Sequence, residues 1–464
     1  MAEHVSTPTT AASATAERQT RAFWQATAAT GVAVVAVGVF GTLAHRGFGR
    51  VPFSVPAWPW YHSDPFYLFW NPRWPSGSGL VGLVVALAAA AGVVALFRSQ
   101  VRPGVRVAAS AGLLLVLALA VAALDGGPAA WRAPLAFTGE YPQGVGQVGD
   151  LPSFLRQFPQ RLASLPSHAS GHPAGVMVLY ALLARLWPGL DGAALLTIAV
   201  GCLGVLPVAA LARDELGEDG RRWALALWVL APMVVLYTAT SADAVFAVAL
   251  AGSALAAHRG LVRRSWAWTL GGGALLWIGS MLTYTAALLL VFLLVRAAGR
   301  LRSEPGWVLG WAAGTAVTVV GLAGLLWLAT GYDPVAAVRA THAAYQAAPG
   351  SAGRPYLPWL VGDPIAFGGM LGIPLFAALV AGAAAVVRQR DWSGFDAAVL
   401  ACLLAASSWG FSRGEVERIF LFLVPLALVP VVRQLWAWRA RLPAVAALLV
   451  AQTLAVQLLF YTRW

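Results

Sequence analysis

The sequence predicts an all-α fold, a polytopic transmembrane helix bundle of about 12–14 spans whose extracytoplasmic loops carry short amphipathic helices. Three observations predict it. Of the 464 residues, 59% are hydrophobic and only 11% are charged, whereas a soluble domain carries about a quarter charged residues. Uncharged apolar runs of spanning length, roughly 20 residues, recur from one end of the chain to the other. Arginine supplies the cation behind the net charge of +12, the sequence having no lysine, and it sits in short loops between those runs. That placement matches the cytoplasmic excess of positive charge in membrane proteins and attraction to anionic lipid. It argues against nucleic acid as a partner, since no basic stripe or stacking platform is readable.

Taken in order, residues 1–22 are rich in Ser, Thr and Ala and read as a disordered cytoplasmic N-terminus. Residues 23–464 read as a single transmembrane domain. Its first run, 24–44, is too long for a signal h-region and lacks a small-residue cleavage site, so it is expected to be retained. Further spans are expected at 78–97, 106–125, 193–212, 223–239, 242–257, 266–282, 284–297, 307–329, 364–387, 394–410, 419–436 and 443–461. The run 173–189 is shorter, carries Arg185 and reads as partly interfacial.

Five arginine groups orient the set: Arg98, Arg102 and Arg106; Arg259, Arg263 and Arg264; Arg296, Arg300 and Arg302; Arg388 and Arg390; Arg433, Arg439 and Arg441. Placing all five in the cytoplasm puts the N-terminus there too, in a multi-pass protein of the cell (plasma) membrane. The arrangement requires one net crossing within 173–212, so either 173–189 is re-entrant or a neighbouring span is misplaced. Outside lie the long loops 45–77, 126–172 and 330–363 and a short tip at 411–418. Loops of this length exceed ordinary connectors of about 4–6 residues and are where function concentrates. Gly271, Gly272 and Gly273 read as close helix packing. Cys202 and Cys402, both inside apolar runs, imply neither a disulfide nor a metal site.

The loop 126–172 carries the strongest chemical signal. Within it Leu151, Phe154, Leu155, Phe158 and Leu162 recur at helical spacing, with Arg156, Gln157, Gln160 and Arg161 off the stripe. An amphipathic helix on the membrane surface is expected, kinked or split by Pro159. It would hold the carboxylates Glu140 and Asp150 at headgroup level. Asp150 precedes the stripe and Pro152, so it also reads as an N-cap. His168 and His172 are four apart, but Gly171 and Pro173 interrupt any helix that would align them, and no zinc motif is present. In 45–77, His62 and Asp64 lie in an aromatic belt with a Ser-Asp-Pro turn. Asp243 opens a new apolar run, either as a helix cap or as an ionisable group facing an outer cavity. The loop 330–363, with Asp333, Arg339, His342, Tyr345 and Arg354, reads either as a cationic, aromatic lid or as a solvated connector. The tip 412–422 packs Arg413, Glu415, Glu417 and Arg418 between two spans. It reads as a self-paired turn, or as guanidinium groups matched to phosphate oxygens.

A large acidic outer loop, a surface helix and then His172-Pro173-Ala174-Gly175 opening an apolar run resembles the GT-C superfamily of polytopic glycosyltransferases. Many bacterial members carry an HPPG-like or HPPL-like element at this point. The run from Pro232 to Asp243 is similar to the next superfamily pattern, and RGEVERIFLFLVP is similar to a late one. The likeness covers residues 126–430. It departs in one respect: members often place the acidic loop after the first span, and here it follows the third, which leaves Asp64 and the Glu140/Asp150 pair as alternative acidic sites.

The resemblance implies a polyprenyl-phosphate-sugar donor, an extracytoplasmic acceptor (glycan, lipid or protein) and inversion, since no second carboxylate is placed for a covalent intermediate. It implies Glu140 or Asp150 as base with Asp243 in support. His172, Arg418, Arg413, Tyr141, His168 and Asp64 make up the expected substrate-binding set. No cofactor is called for with certainty, although some members use a divalent metal, and no metal ligand is assigned. Two rivals remain. A transporter or flippase predicts mid-membrane charges and paired broken helices, but no internal repeat is readable. A non-catalytic subunit of an assembly predicts that Glu140 and Asp150 are dispensable.

Overall fold

The computed structural model of the chain describes residues 10–48, 72–75, 77–347, 356–410 and 413–460. Backbone in lipid must satisfy its own hydrogen bonds, and helices do so within one segment. Among the described residues there is no strand. Seven helical stretches are long and apolar enough to cross a membrane: Ser78–Arg98, Pro103–Ala123, Leu190–Leu230, Asp243–Arg263, Pro305–Thr330, Val416–Ala437 and Leu442–Leu459. Shorter apolar helices, Ala174–Leu186, Trp359–Leu371, Ile373–Gln389 and Phe395–Ser408, stand among them. The chain is therefore an all-α, multi-pass membrane protein.

Two of these stretches are broken where glycine permits it. Leu190–Leu230 bends at Gly217, whose φ of 74° is left-handed; the span expected at 193–212 lies in its first arm, and the one expected at 223–239 is divided between its second arm and the separate helix Pro232–Thr240. The other break lies at Gly372 (φ 116°), between Tyr356–Leu371 and Ile373–Gln389. There the side chain of Gln452 closes both open backbone groups: Ile373 N–H donates to its Oε1 at 2.9 Å, and its Nε2 donates to the Gly369 carbonyl.

The polar residues sort to two ends. At one, Arg222 donates to the Phe97 carbonyl at 2.6 Å, and Arg259 and Arg263 donate to Asp214 at 2.6 and 2.7 Å. Arg264 reaches Glu304 at 3.1 Å, Arg296 reaches the Ser393 carbonyl at 3.2 Å, and Arg433 bonds Glu215 at 3.2 Å and also Asp396. The five arginine groups of the sequence thus meet at a single basic end. At the other end, Arg132 pairs with Asp191 at 3.2 Å and Tyr284 bonds Thr341 at 3.1 Å.

That far end resolves the odd run at 173–189. Helix Ala174–Leu186 starts beside Leu282, through His172, and the chain is back at Asp191, paired to Arg132 of the loop 126–172. At 13 residues it measures about 20 Å, short of a hydrocarbon core of about 30 Å. Both of its flanks therefore lie at this end of the bundle.

Three expectations are corrected. Residues 10–22, expected to be disordered, belong to helix Thr10–Phe48; their alanines favour helix, and Phe23, next along it, is buried and meets the Trp438 ring at a tilt, centroids 5.9 Å apart. Helix Leu151–Arg161 runs through Pro159 without splitting and tightens into a 3₁₀ turn at Leu162–Ser164. Its apolar stripe does not lie on lipid. Phe154, Leu155, Phe158 and Leu162 are buried with Tyr141, Met177, Tyr180, Phe246 and Tyr332, because the chain itself offers an apolar surface there. The helix is a cover over that end of the bundle.

Candidate functional site

The segment ahead of this cover is pinned by close backbone contact. A Cβ on Gly144 would come within 2.7 Å of Pro166, and His168 N–H donates to the Gly139 carbonyl at 3.0 Å. This docking sets Glu140, extended before the 3₁₀ helix Tyr141–Gln147, against His168. His168 Nδ1 donates to Glu140 Oε1 at 2.7 Å.

The His172-Pro173-Ala174-Gly175 run docks on the end of helix Trp266–Leu282. His172 Nδ1 donates to the Leu282 carbonyl at 3.2 Å, and a Cβ on Gly175 would fall 2.3 Å from the Met281 carbonyl oxygen. Glycine is needed there for approach, and Pro173 serves as the N-cap of helix Ala174–Leu186. Burial lowers the His172 imidazole below its ordinary range, with Asp243 pulling the other way. Tyr141 stacks on Tyr180 (centroids 5.5 Å, 14°) and meets the His172 ring edge-on at 5.6 Å. Burial raises the Tyr141 phenol well above its usual value, and the carboxylates of Glu140 and Asp243 push it the same way.

Asp243 stands at the start of helix Asp243–Arg263, and its carboxylate accepts from Ser241 Oγ at 2.7 Å and from Arg418 Nη1 at 2.7 Å. The second guanidinium nitrogen of Arg418 donates to Glu415. Glu415 holds a left-handed backbone at φ 60°, beside Gly414 at φ 86°, a strained turn of the kind that clusters at functional sites. Gly414 N–H donates to Asp363 Oδ1 at 3.1 Å. Glu140, Asp243 and Arg418 are 3%, 6% and 7% exposed, so these charges interact with little screening by water.

The structure therefore brings together Glu140, Tyr141, His168, His172, Asp243 and Arg418. Asp150 is not among them. It is an exposed N-cap whose carboxylate accepts Ser153 N–H at 2.9 Å, and the hydrogen bonds from Ser153 lower its pKa. Arg413 donates to the Gly410 carbonyl at 3.1 Å and lies over the Tyr356 ring at 5.8 Å. Asp64 lies outside the described residues. Among the described residues no group of three or more His, Cys, Asp or Glu is arranged to hold a metal ion.

Sequence reasoning passed over Tyr180, Phe246 and Tyr237, and named Glu417 only as part of the 412–422 tip. The Glu417 carboxyl is buried with Oε2 unpartnered, and the Tyr237 hydroxyl and Arg418 Nε are buried and unpartnered as well. The signal for Tyr237 and Glu417 was a polar group within an otherwise apolar run. Tyr180 and Phe246 carried none, since buried aromatics at helical spacing read as core. No protein-family model, curated protein or solved structure matches the chain.

Proposed function

We propose that the chain is a membrane glycosyltransferase that moves a sugar from a polyprenyl-phosphate donor to an extracytoplasmic acceptor, with inversion. One observation carries this reading: Glu140, Asp243 and Arg418, from three distant stretches of sequence, converge at the end of the bundle opposite the arginine loops. By the positive-inside rule the basic end is cytoplasmic, as is the N-terminus, and the convergent end faces outward across the plasma membrane.

The chemistry of the cluster suits a sugar phosphate. Carboxylates accept from sugar hydroxyls, and the Tyr141–Tyr180 stack offers aromatic faces to a ring. Arg418 is the group to hold the donor phosphate, exchanging Asp243 or Glu415 for phosphate oxygens in the same fork geometry. The acceptor hydroxyl attacks the anomeric carbon as a protein base takes its proton. The bond from that carbon to the phosphate oxygen breaks, and the electron pair leaves on the polyprenyl phosphate beside the guanidinium. Asp243 orients Arg418 and returns to it after release.

The test is the purified full chain in lipid nanodiscs with radiolabelled polyprenyl-phosphate hexoses and a panel of acceptor glycans. Turnover is expected with at least one donor, falling more than 100-fold in Arg418→Gln. Neither binding nor turnover across the common donors would sink the proposal. A second reading, a transporter or flippase of lipid-linked substrates, is favoured by the buried Asp243–Arg418 pair joining two crossing helices. Proteoliposomes separate the two: a flippase moves the intact donor across the bilayer, whereas a transferase cleaves it.

A further inference from the structure

We propose that the general base of this site is His168, acting through Nε2, and that Glu140 is its positioning residue. The inference rests on the glycosyl-transfer reading and deepens it. Glu140 is the natural first choice as base, but its Oε1 already accepts the His168 Nδ1 proton at 2.7 Å, and its side chain is only 4% exposed. The His168 ring keeps 21% of its side-chain surface open. A carboxylate that accepts from Nδ1 fixes the tautomer and leaves the in-plane lone pair on Nε2, the arrangement by which a buried acid makes a histidine into a base. Both partners are held from the backbone: His168 N–H is bonded to the Gly139 carbonyl and Glu140 N–H to the Phe137 carbonyl, so the main chain at His168 is tied to the loop that carries Glu140. Tyr141 and Phe137 wall the ring at 6.4 and 6.2 Å.

The step balances. The acceptor O–H proton passes to Nε2 as oxygen bonds to the anomeric carbon. The carbon–phosphate-oxygen bond breaks, its pair stays on phosphate, and His168 becomes an imidazolium stabilised by ionised Glu140. The titratable and charged groups around His168 are Glu140, Tyr141 and His172, with Arg161 before it. The packed helix Pro334–Ala347 adds the exposed Arg339 and His342 and the half-buried Tyr345.

The experiment uses the full chain in nanodiscs. His168→Gln is expected to lower kcat by more than 100-fold with the donor KM within threefold, and free imidazole should restore part of the activity of His168→Gly. Glu140→Gln should lower kcat less and move the acidic limb of kcat/KM. If His168→Gln keeps more than a third of wild-type kcat, or if that limb is the same in Glu140→Gln, the assignment is overturned. If wild type itself cleaves no donor, the transferase reading fails, and the dyad is judged by diethyl pyrocarbonate with mass-spectrometric readout. His168 should then be carbethoxylated with a pH dependence that shifts in Glu140→Gln, and an inert or Glu140-independent His168 overturns it.

Discussion

At the scale of single residues, the site is organised by one guanidinium held between carboxylates. Removing one partner of a buried ion pair leaves the other charge uncompensated, at a cost of about 3–5 kcal/mol. Asp243→Asn and Arg418→Gln are each expected to lower thermal stability in detergent by that order. The double variant should recover much of the stability and none of the turnover, as a double-mutant cycle would read. His172 gives a pH prediction. Its pKa is lowered by folding, so the unfolded chain binds the extra proton. Stability is full above the unfolded value of about 6.5 and declines as pH falls below it. His172→Gln should flatten that acidic limb in melting curves taken across pH 5–8. Asp150 carries the opposite expectation for function: as an exposed cap, Asp150→Asn should leave turnover within about twofold, since a cap role survives in Asn. The contrast shows what a sequence can disclose about a site. Glu140, His172 and Arg418 drew notice because a charge or a histidine beside an apolar run needs a reason. Asp150 looked equally good because N-capping and catalysis ask for the same residue, and only the Ser153 N–H contact separates them.

Among the elements, the apolar helices were the most legible, because lipid asks for length and apolarity, and among the described residues seven stretches meet both. The breaks were harder. Gly217 and Gly372 look like the packing glycines nearby, and only their positive φ marks them as turns. Gly272, by contrast, fits the expected close packing: a Cβ there would stand 2.7 Å from the backbone of Ala257. The destination of the Leu151–Arg161 stripe was illegible, since an apolar face fits lipid and protein alike, and only tertiary packing chose protein. Gly175 supplies the test at this scale. Gly175→Leu would drive a side chain into the Met281 carbonyl, so it should cost about 1–3 kcal/mol by overpacking, displace His172 from Leu282 and lower turnover at least tenfold. Unchanged melting and activity would mean that the His172–Gly175 run is not held where it stands.

On the scale of the whole molecule, polarity is divided between two ends, and this predicts a sidedness. Cys202 and Cys402 are buried, so background labelling by a membrane-impermeant maleimide should be low. Arg263→Cys should react only when the cytoplasmic face is open, and Asp150→Cys only from outside. Labelling of both from one side would undo the topology and the sugar-transfer proposal with it. The Gly372 break has a bearing on biogenesis. The two helices that meet there stay incompletely bonded until a glutamine arrives from helix Leu442–Leu459, the last in the chain order described. A nascent chain halted before that helix would carry an open amide and carbonyl in the bilayer, each costing several kcal/mol. Folding of this protein should therefore finish only after helix Leu442–Leu459 is inserted, and Gln452→Leu should shorten the cellular half-life in pulse–chase while synthesis proceeds at the normal rate.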